Sequence, residues 1–103
     1  MACKISWTPR AWKTYEANIE YLLKERTDKE VTRFVKLVDD KLSYLAKHPQ
    51  IGSPRNKKYP NIRYCVIHKR IALIYRHKPS KNEIDLLVFW NTWAHPRKLR
   101  IRK

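Results

Sequence analysis

At 103 residues, 43% of them apolar, the chain is sized for one domain over 1–103 with a modest core of its own. Twenty-four Lys and Arg against nine Asp and Glu give a formal charge of +15, an excess that attracts phosphate backbones and acidic protein surfaces without specifying a fold. A single glycine, Gly52, leaves no room for a glycine-rich phosphate loop, and no apolar run approaches a membrane span, so no membrane partner is expected.

The predicted elements begin with a strand over CKISWT, Cys3 to Thr8, where Ile5 and Trp7 alternate. The N-terminus enters this strand directly, so no signal peptide is expected. Cys3 and Cys65 form neither a disulfide framework nor a metal spacing, which suits a reducing, cytoplasmic compartment; no cofactor or metal is expected. Thr8-Pro9 is a helix start, an N-cap followed by proline at the first helical position. A helix from Pro9 to about Lys24 places Trp12, Tyr15, Ile19, Leu22 and Leu23 on one stripe, with Trp7 and Trp12 expected in the core. Thr27-Asp28-Lys29-Glu30 reads as a capping box, followed by Val31, Phe34, Val35, Val38, Leu42 and Leu45 at helical period. That helix should end near His48, because Pro49 cannot continue it. Pro49 to Asn61 is the longest irregular stretch and carries the basic run from Arg55 to Lys58. There is no internal repeat and no low-complexity tract.

Residues Ile62 to Asn91 carry three strands joined by short turns, NIRYCVIH, KRIALIYRH and NEIDLLVFWN. With a two-residue turn at His68-Lys69, Cys65 lies opposite Ala72 and Arg63 opposite Ile74. Ile62, Tyr64, Val66, Ile71, Leu73 and Tyr75 then form a core face against the helices. Arg63, Cys65, Ile67, Arg70, Ala72, Ile74 and Arg76 form the other. A shift of one residue would exchange the faces of one strand. In the last strand, Ile84, Leu86 and Val88 share one side, Asp85, Leu87 and Phe89 the other, and Trp90 continues the core-facing parity. The fold expected is α+β, an antiparallel sheet with a helical hairpin on one face. Two helices cover one face only, so apolar residues on the other mark an interface or are covered by the basic tail, 91–103.

This order, β-α-α-β-β-β on a small basic chain, resembles the RelE/ParE superfamily, the toxins of bacterial type II toxin–antitoxin modules. The resemblance spans nearly the whole chain and is carried by SWTPRAWKTYEANIEYL, NIRYCVIHKRIALIYR and DLLVFWNTWAHPRKL. Pro96-Arg97-Lys98-Leu99 is similar to the Pro-Lys-Leu-like terminus of the plasmid-stabilisation branch. The resemblance implies one of two activities, metal-free cleavage of mRNA on the ribosome (RelE-type) or inhibition of DNA gyrase (ParE-type). It also implies a small acidic antitoxin as partner. The toxin itself is expected as a monomer, a homodimer or a chain stable only with its antitoxin.

Metal-free RNA cleavage needs a deprotonated 2′-hydroxyl, a stabilised phosphate and a protonated leaving oxygen. RelE-type toxins gather basic side chains on the open sheet face for this. Arg63 holds one such position here, whereas Cys65 and Ala72 stand where a second and a third basic residue are expected, and Trp93 stands near the place of an arginine. For a nuclease the catalytic candidates are therefore Arg63, His68 and His95, with Tyr75 a further acid–base group. The losses favour the ParE-type reading, acting by binding through Arg63, Arg76, Trp93, Arg97 and Lys98. The plainer readings stand beside these: an arginine on a sheet face is more often solvated or partner-paired, Tyr75 more often core, and His68 more often an ordinary turn residue. Trp90 and Trp93 could stack on bases, anchor the tail to the sheet or be hot spots for a protein partner. A non-toxic nucleic-acid-binding module or a degenerate toxin also fits the chain.

Overall fold

The computed structural model describes residues 2–25, 27–54, 57–69 and 71–92. Its elements are β1 (Lys4–Trp7), α1 (Pro9–Glu25), α2 (Asp28–Lys47), β2 (Ser53–Pro54), β3 (Ile62–His68), β4 (Ile71–Lys78) and β5 (Glu83–Asn91). The sheet order is β1-β5-β4-β3-β2. The α+β architecture expected from sequence is present. The sheet is mixed: β1 runs parallel to β5, and the other neighbours are antiparallel. The stretch read as irregular supplies β2, a two-residue edge strand.

Local signals set the helix ends. Thr8 Oγ1 accepts from Ala11 N–H at 3.1 Å and donates to Leu86 O at 2.7 Å, so one hydroxyl both caps α1 and ties it to β5. Thr27 Oγ1 accepts from Glu30 N–H, and α2 stops at Lys47, just before His48-Pro49. Between β4 and β5, Asn82 turns the chain in the left-handed region (φ 52°), which Asn tolerates better than most residues. Its backbone carbonyl accepts from Lys4 N–H at 3.0 Å, which places β1 beside the start of β5.

The helices cover one face of the sheet. Ala11, Leu22, Phe34, Val38 and Leu45 pack with Ile67, Ile71, Leu73, Tyr75, Ile84, Leu86 and Phe89 in the main core. The helical stripes are narrower than their periodicity suggests. Leu23 and Val35 are exposed, and so is Trp12, expected in the core, although its ring stacks on Trp7 at 4.1 Å.

The faces of β3 are the reverse of those expected. Cys65 pairs with Leu73, Arg63 with Tyr75 and His68 with Ile71, and the register shifts between Val66 and His68. The turn follows His68 instead of including it, and the irregularity at Ile67 absorbs one residue. The net offset of one position exchanges the faces of Ile62 to Ile67. Arg63, Cys65 and Ile67 therefore face the helices, while Ile62, Tyr64 and Val66 face outward. β4 keeps its expected faces. In β5 a second shift, at Leu87, puts Phe89 with Ile84 and Leu86 in the main core. Val88 and Trp90 go to the other side, where Ile62, Ile74 and Val88 form a separate small cluster with Tyr59, Leu87 and Trp90.

Candidate functional site

The open face grades from polar to apolar. Ser6, Asp85, Arg76 and Ile62 form its first row by register, then Val88, Ile74 and Tyr64, then Trp90, Ala72 and Val66. Tyr59, from the loop before β3, packs on the middle row, and Val66 on the β3 edge is 59% exposed. Arg76 lies opposite Asp85, but that carboxylate pairs instead with Lys78 Nζ at 2.8 Å. Arg76 thus has no ion pair among the described residues, and its guanidinium remains available. A cleft of about 400 Å³ opens at this end, lined among others by Lys58, Tyr59, Ile62, Arg76, Lys78 and Ser80. Lys58 closes the basic run read from the sequence, whereas Lys78 was not singled out there, although it shares the parity of Arg76. Charge is partitioned with the fold: 14 of the 24 Lys and Arg, but two of the nine acids, lie beyond His48.

Arg63 is placed differently. Its Nη1 donates to Gly52 O at 2.7 Å and to Gln50 O at 3.3 Å. Beside it the Tyr75 hydroxyl, fully buried, accepts from Gly52 N–H at 3.0 Å and donates to Pro49 O at 2.9 Å. Arg63 and Tyr75 therefore grip the chain as it leaves α2. Burial pushes the Tyr75 hydroxyl upward in pKa, against the effects of the Gly52 bond and of Arg63. Burial likewise pushes the Cys65 thiol up to about 11. The expected open-face positions of Arg63 and Cys65 are thus corrected by the shifted register.

His68, read as a turn residue, ends β3 with its side chain 4% exposed, and its Nε2 lies 2.8 Å from Glu30 Oε2. Glu30 was read as the carboxylate of a capping box, but only the Thr27 half of that box forms; its carboxylate goes to His68, whose bond holds it below the usual range. His77, on the same face as Tyr75, is buried, and burial followed by the charge of Arg63 lowers its pKa. Arg63 and His68 do not share the open face with Arg76. Trp93, His95, Arg97 and Lys98 lie outside the described residues, as does Arg70. Among the described residues, no group of His, Cys, Asp and Glu side chains could hold a metal ion, and no helix is long and apolar enough to cross a membrane.

Residues 5–92 match the family described as the ParE toxin of type II toxin-antitoxin system, parDE. The chain belongs to the ParE toxin family. As a ParE-family chain it is the toxin of a type II toxin–antitoxin system. No curated protein matches it in sequence. Its fold is similar to that in the chromosomal ParDE system from P. aeruginosa, with TM-score 0.68 at 16% identity over 87% of this chain and 96% of the other. The YoeB/ParE toxin from Agrobacterium tumefaciens gives TM-score 0.63 at 20% identity over 85% and 96%. The toxin–antitoxin complex RelBE2 from Mycobacterium tuberculosis gives TM-score 0.63 at 12% identity over 88% and 99%. Identities this low speak for a shared fold, with ParE- and RelE-named proteins on equal footing.

Proposed function

We propose that this ParE-family toxin arrests growth by binding its target, of the DNA gyrase class, through the open face of its sheet. The supporting observation is the destination of the acid–base candidates. RNA hydrolysis needs its proton-transfer groups gathered around one phosphate. Here Arg63 is held by two backbone carbonyls and His68 is buried against Glu30, both on the helix side. What faces outward is Arg76 beside an apolar strip with aromatic members, the composition of a protein-binding surface with an arginine anchor. Trp93, Arg97 and Lys98 in the basic tail are proposed to extend that contact. The partner is a small acidic antitoxin that neutralises the charge and covers the strip. The similar structures of ParDE and RelBE2, described as toxin–antitoxin systems, support this part of the reading.

The test is inducible expression in a bacterial host with growth, mRNA ends and in vitro gyrase supercoiling followed together. The reading expects arrest and inhibited supercoiling with intact mRNA, the first two relieved by Arg76→Glu in a protein that still folds. New ends inside translated codons would overturn it in favour of a ribosome-dependent endoribonuclease. No arrest from soluble, folded protein would leave a binding module or a degenerate toxin.

A further inference from the structure

The cleft at the polar end of the open face is built by two short segments, 57–62 before β3 and 76–81 at the end of β4. Backbone contacts tie them together. Ile62 pairs with Arg76, and His77 N–H donates to Asn61 O at 2.9 Å. Ile62 N–H donates in turn to Tyr59 O at 3.0 Å, and Pro60 and Pro79 stiffen the two rims. The cleft is therefore formed before anything fills it. Its two segments carry Lys57, Lys58, Arg76, Lys78 and Lys81 and no acidic residue.

Asp85, opposite Arg76 in the ladder, is engaged by Lys78 at 2.8 Å, and that pair is neutral. Arg76 lines the cleft half-buried, with no ion pair among the described residues, and Lys58 lines the facing wall. This arrangement calls for an anion. A carboxylate has two oxygens, which Arg76 alone saturates in a bidentate pair, leaving Lys58 unused. A phosphate directs its oxygens in three dimensions and accepts from both walls at once, with the Ser80 hydroxyl as a further donor. The volume of about 400 Å³ lies within the roughly 300–1,000 Å³ of small-molecule sites and exceeds one phosphate group. The remainder is walled by Tyr59, Pro60, Ile62 and Pro79, which suits the less polar surface of a sugar and base.

We infer that this cleft is a nucleotide site, in which Arg76 and Lys58 hold one phosphate of a nucleic-acid strand between them. The apolar strip is left to protein, and Arg76 takes the DNA that a gyrase-class target carries. The inference rests on the target reading above for the source of the strand. Its test uses the isolated chain, so it can fail while inhibition of supercoiling stands, and the reverse. The full chain, ¹⁵N-labelled, is titrated at constant ionic strength with the thymidine dinucleotide TpT, which has one phosphodiester and no terminal phosphate. Inorganic phosphate and a glutamate tetrapeptide are titrated alongside. The expected result is saturable binding at the Arg76 Nε–H, Asn61 and Ser80 signals, about tenfold tighter for TpT than for either comparison anion. The tetrapeptide carries more charge than TpT, so this order cannot come from charge alone. Arg76→Gln and Lys58→Gln should each weaken TpT about tenfold with the remaining spectrum unchanged. Lys13→Gln, which removes the same charge from an exposed position on α1, should leave it unaltered. Equal or tighter binding of the tetrapeptide would overturn the inference and assign the cleft to an acidic polypeptide. Equal or tighter binding of inorganic phosphate would reduce it to a simple anion site. Equal losses in Lys13→Gln and Arg76→Gln, or no saturable binding, would overturn it as net charge acting without a site.

Discussion

Replacing Arg63 by methionine keeps the apolar stem and removes the guanidinium that holds Gly52 O at 2.7 Å and Gln50 O at 3.3 Å. Hydrogen bonds to a charged group contribute roughly 1.5–3 kcal/mol. Gln50 is exposed, so water replaces the longer bond, and the net loss should be about 2 kcal/mol. Tyr75→Phe acts on the same residue from the other side, leaving the buried Gly52 N–H without its acceptor, at a cost of about 1–3 kcal/mol. Because both side chains grip Gly52, the second substitution should cost less once the first is made. A coupling of about 1 kcal/mol is expected. Urea unfolding of the two single variants and the double variant, monitored by circular dichroism, measures it as a double-mutant cycle with unchanged m-values. A loss below about 0.5 kcal/mol for Arg63→Met, with additivity within about 0.5 kcal/mol, would refute the clamp and return Arg63 to the candidate target contacts. If the clamp holds, reduced toxicity in an Arg63 variant reports weakened folding before it reports chemistry.

Gly52→Ala should destabilise by about 1–3 kcal/mol in the same assay. Its Cβ would lie 2.7 Å from Tyr64 O and 2.7 Å from the Tyr75 hydroxyl, and the first of these is backbone that cannot step aside. Cys65, with its pKa pushed up to about 11, should react with a disulfide reagent near neutral pH about a hundredfold more slowly in the native protein than an ordinary thiol of pKa 9.0. The neutral Cys65 thiol favours the fold below pH 9.0, and this contribution is lost as pH rises through about 11. Glu30 is the opposite case: its lowered carboxyl stabilises the fold above the ordinary value of 4.5, and that contribution is lost as pH falls through the native value. Glu30→Gln should therefore flatten the acid limb of the stability–pH curve, and an unchanged acid limb would show that the His68 bond does not act in solution. His77 should titrate below 6.5 by NMR, since burial and Arg63 disfavour its cation, and protonating it should weaken the fold as pH falls.

Helix limits were legible because caps are local. Thr8-Pro9, Thr27 with Glu30, and the stop before Pro49 each act through atoms within a few residues, and each appears where the sequence puts it. The order of the helices and of the four longer strands, and the helical cover on one face, were legible too, since periodicity reports burial directly; the two-residue β2 was not. The register of β3 was not. NIRYCVIH is apolar on both parities, so alternation permits two registers one residue apart. Contacts remote in sequence accompany the observed choice: Tyr75 to Gly52 across 23 residues, and His68 to Glu30 across 38. That choice moved Arg63 off the open face, took His68 from the expected turn to the helix side, and left Arg76 on the open face. Composition and short-range pattern thus determined a basic α+β chain with one uncovered sheet face. Which residues occupy that face depended on a one-residue offset, settled only when strand, loop and helix packed together, because a period of two is blind to which side is in.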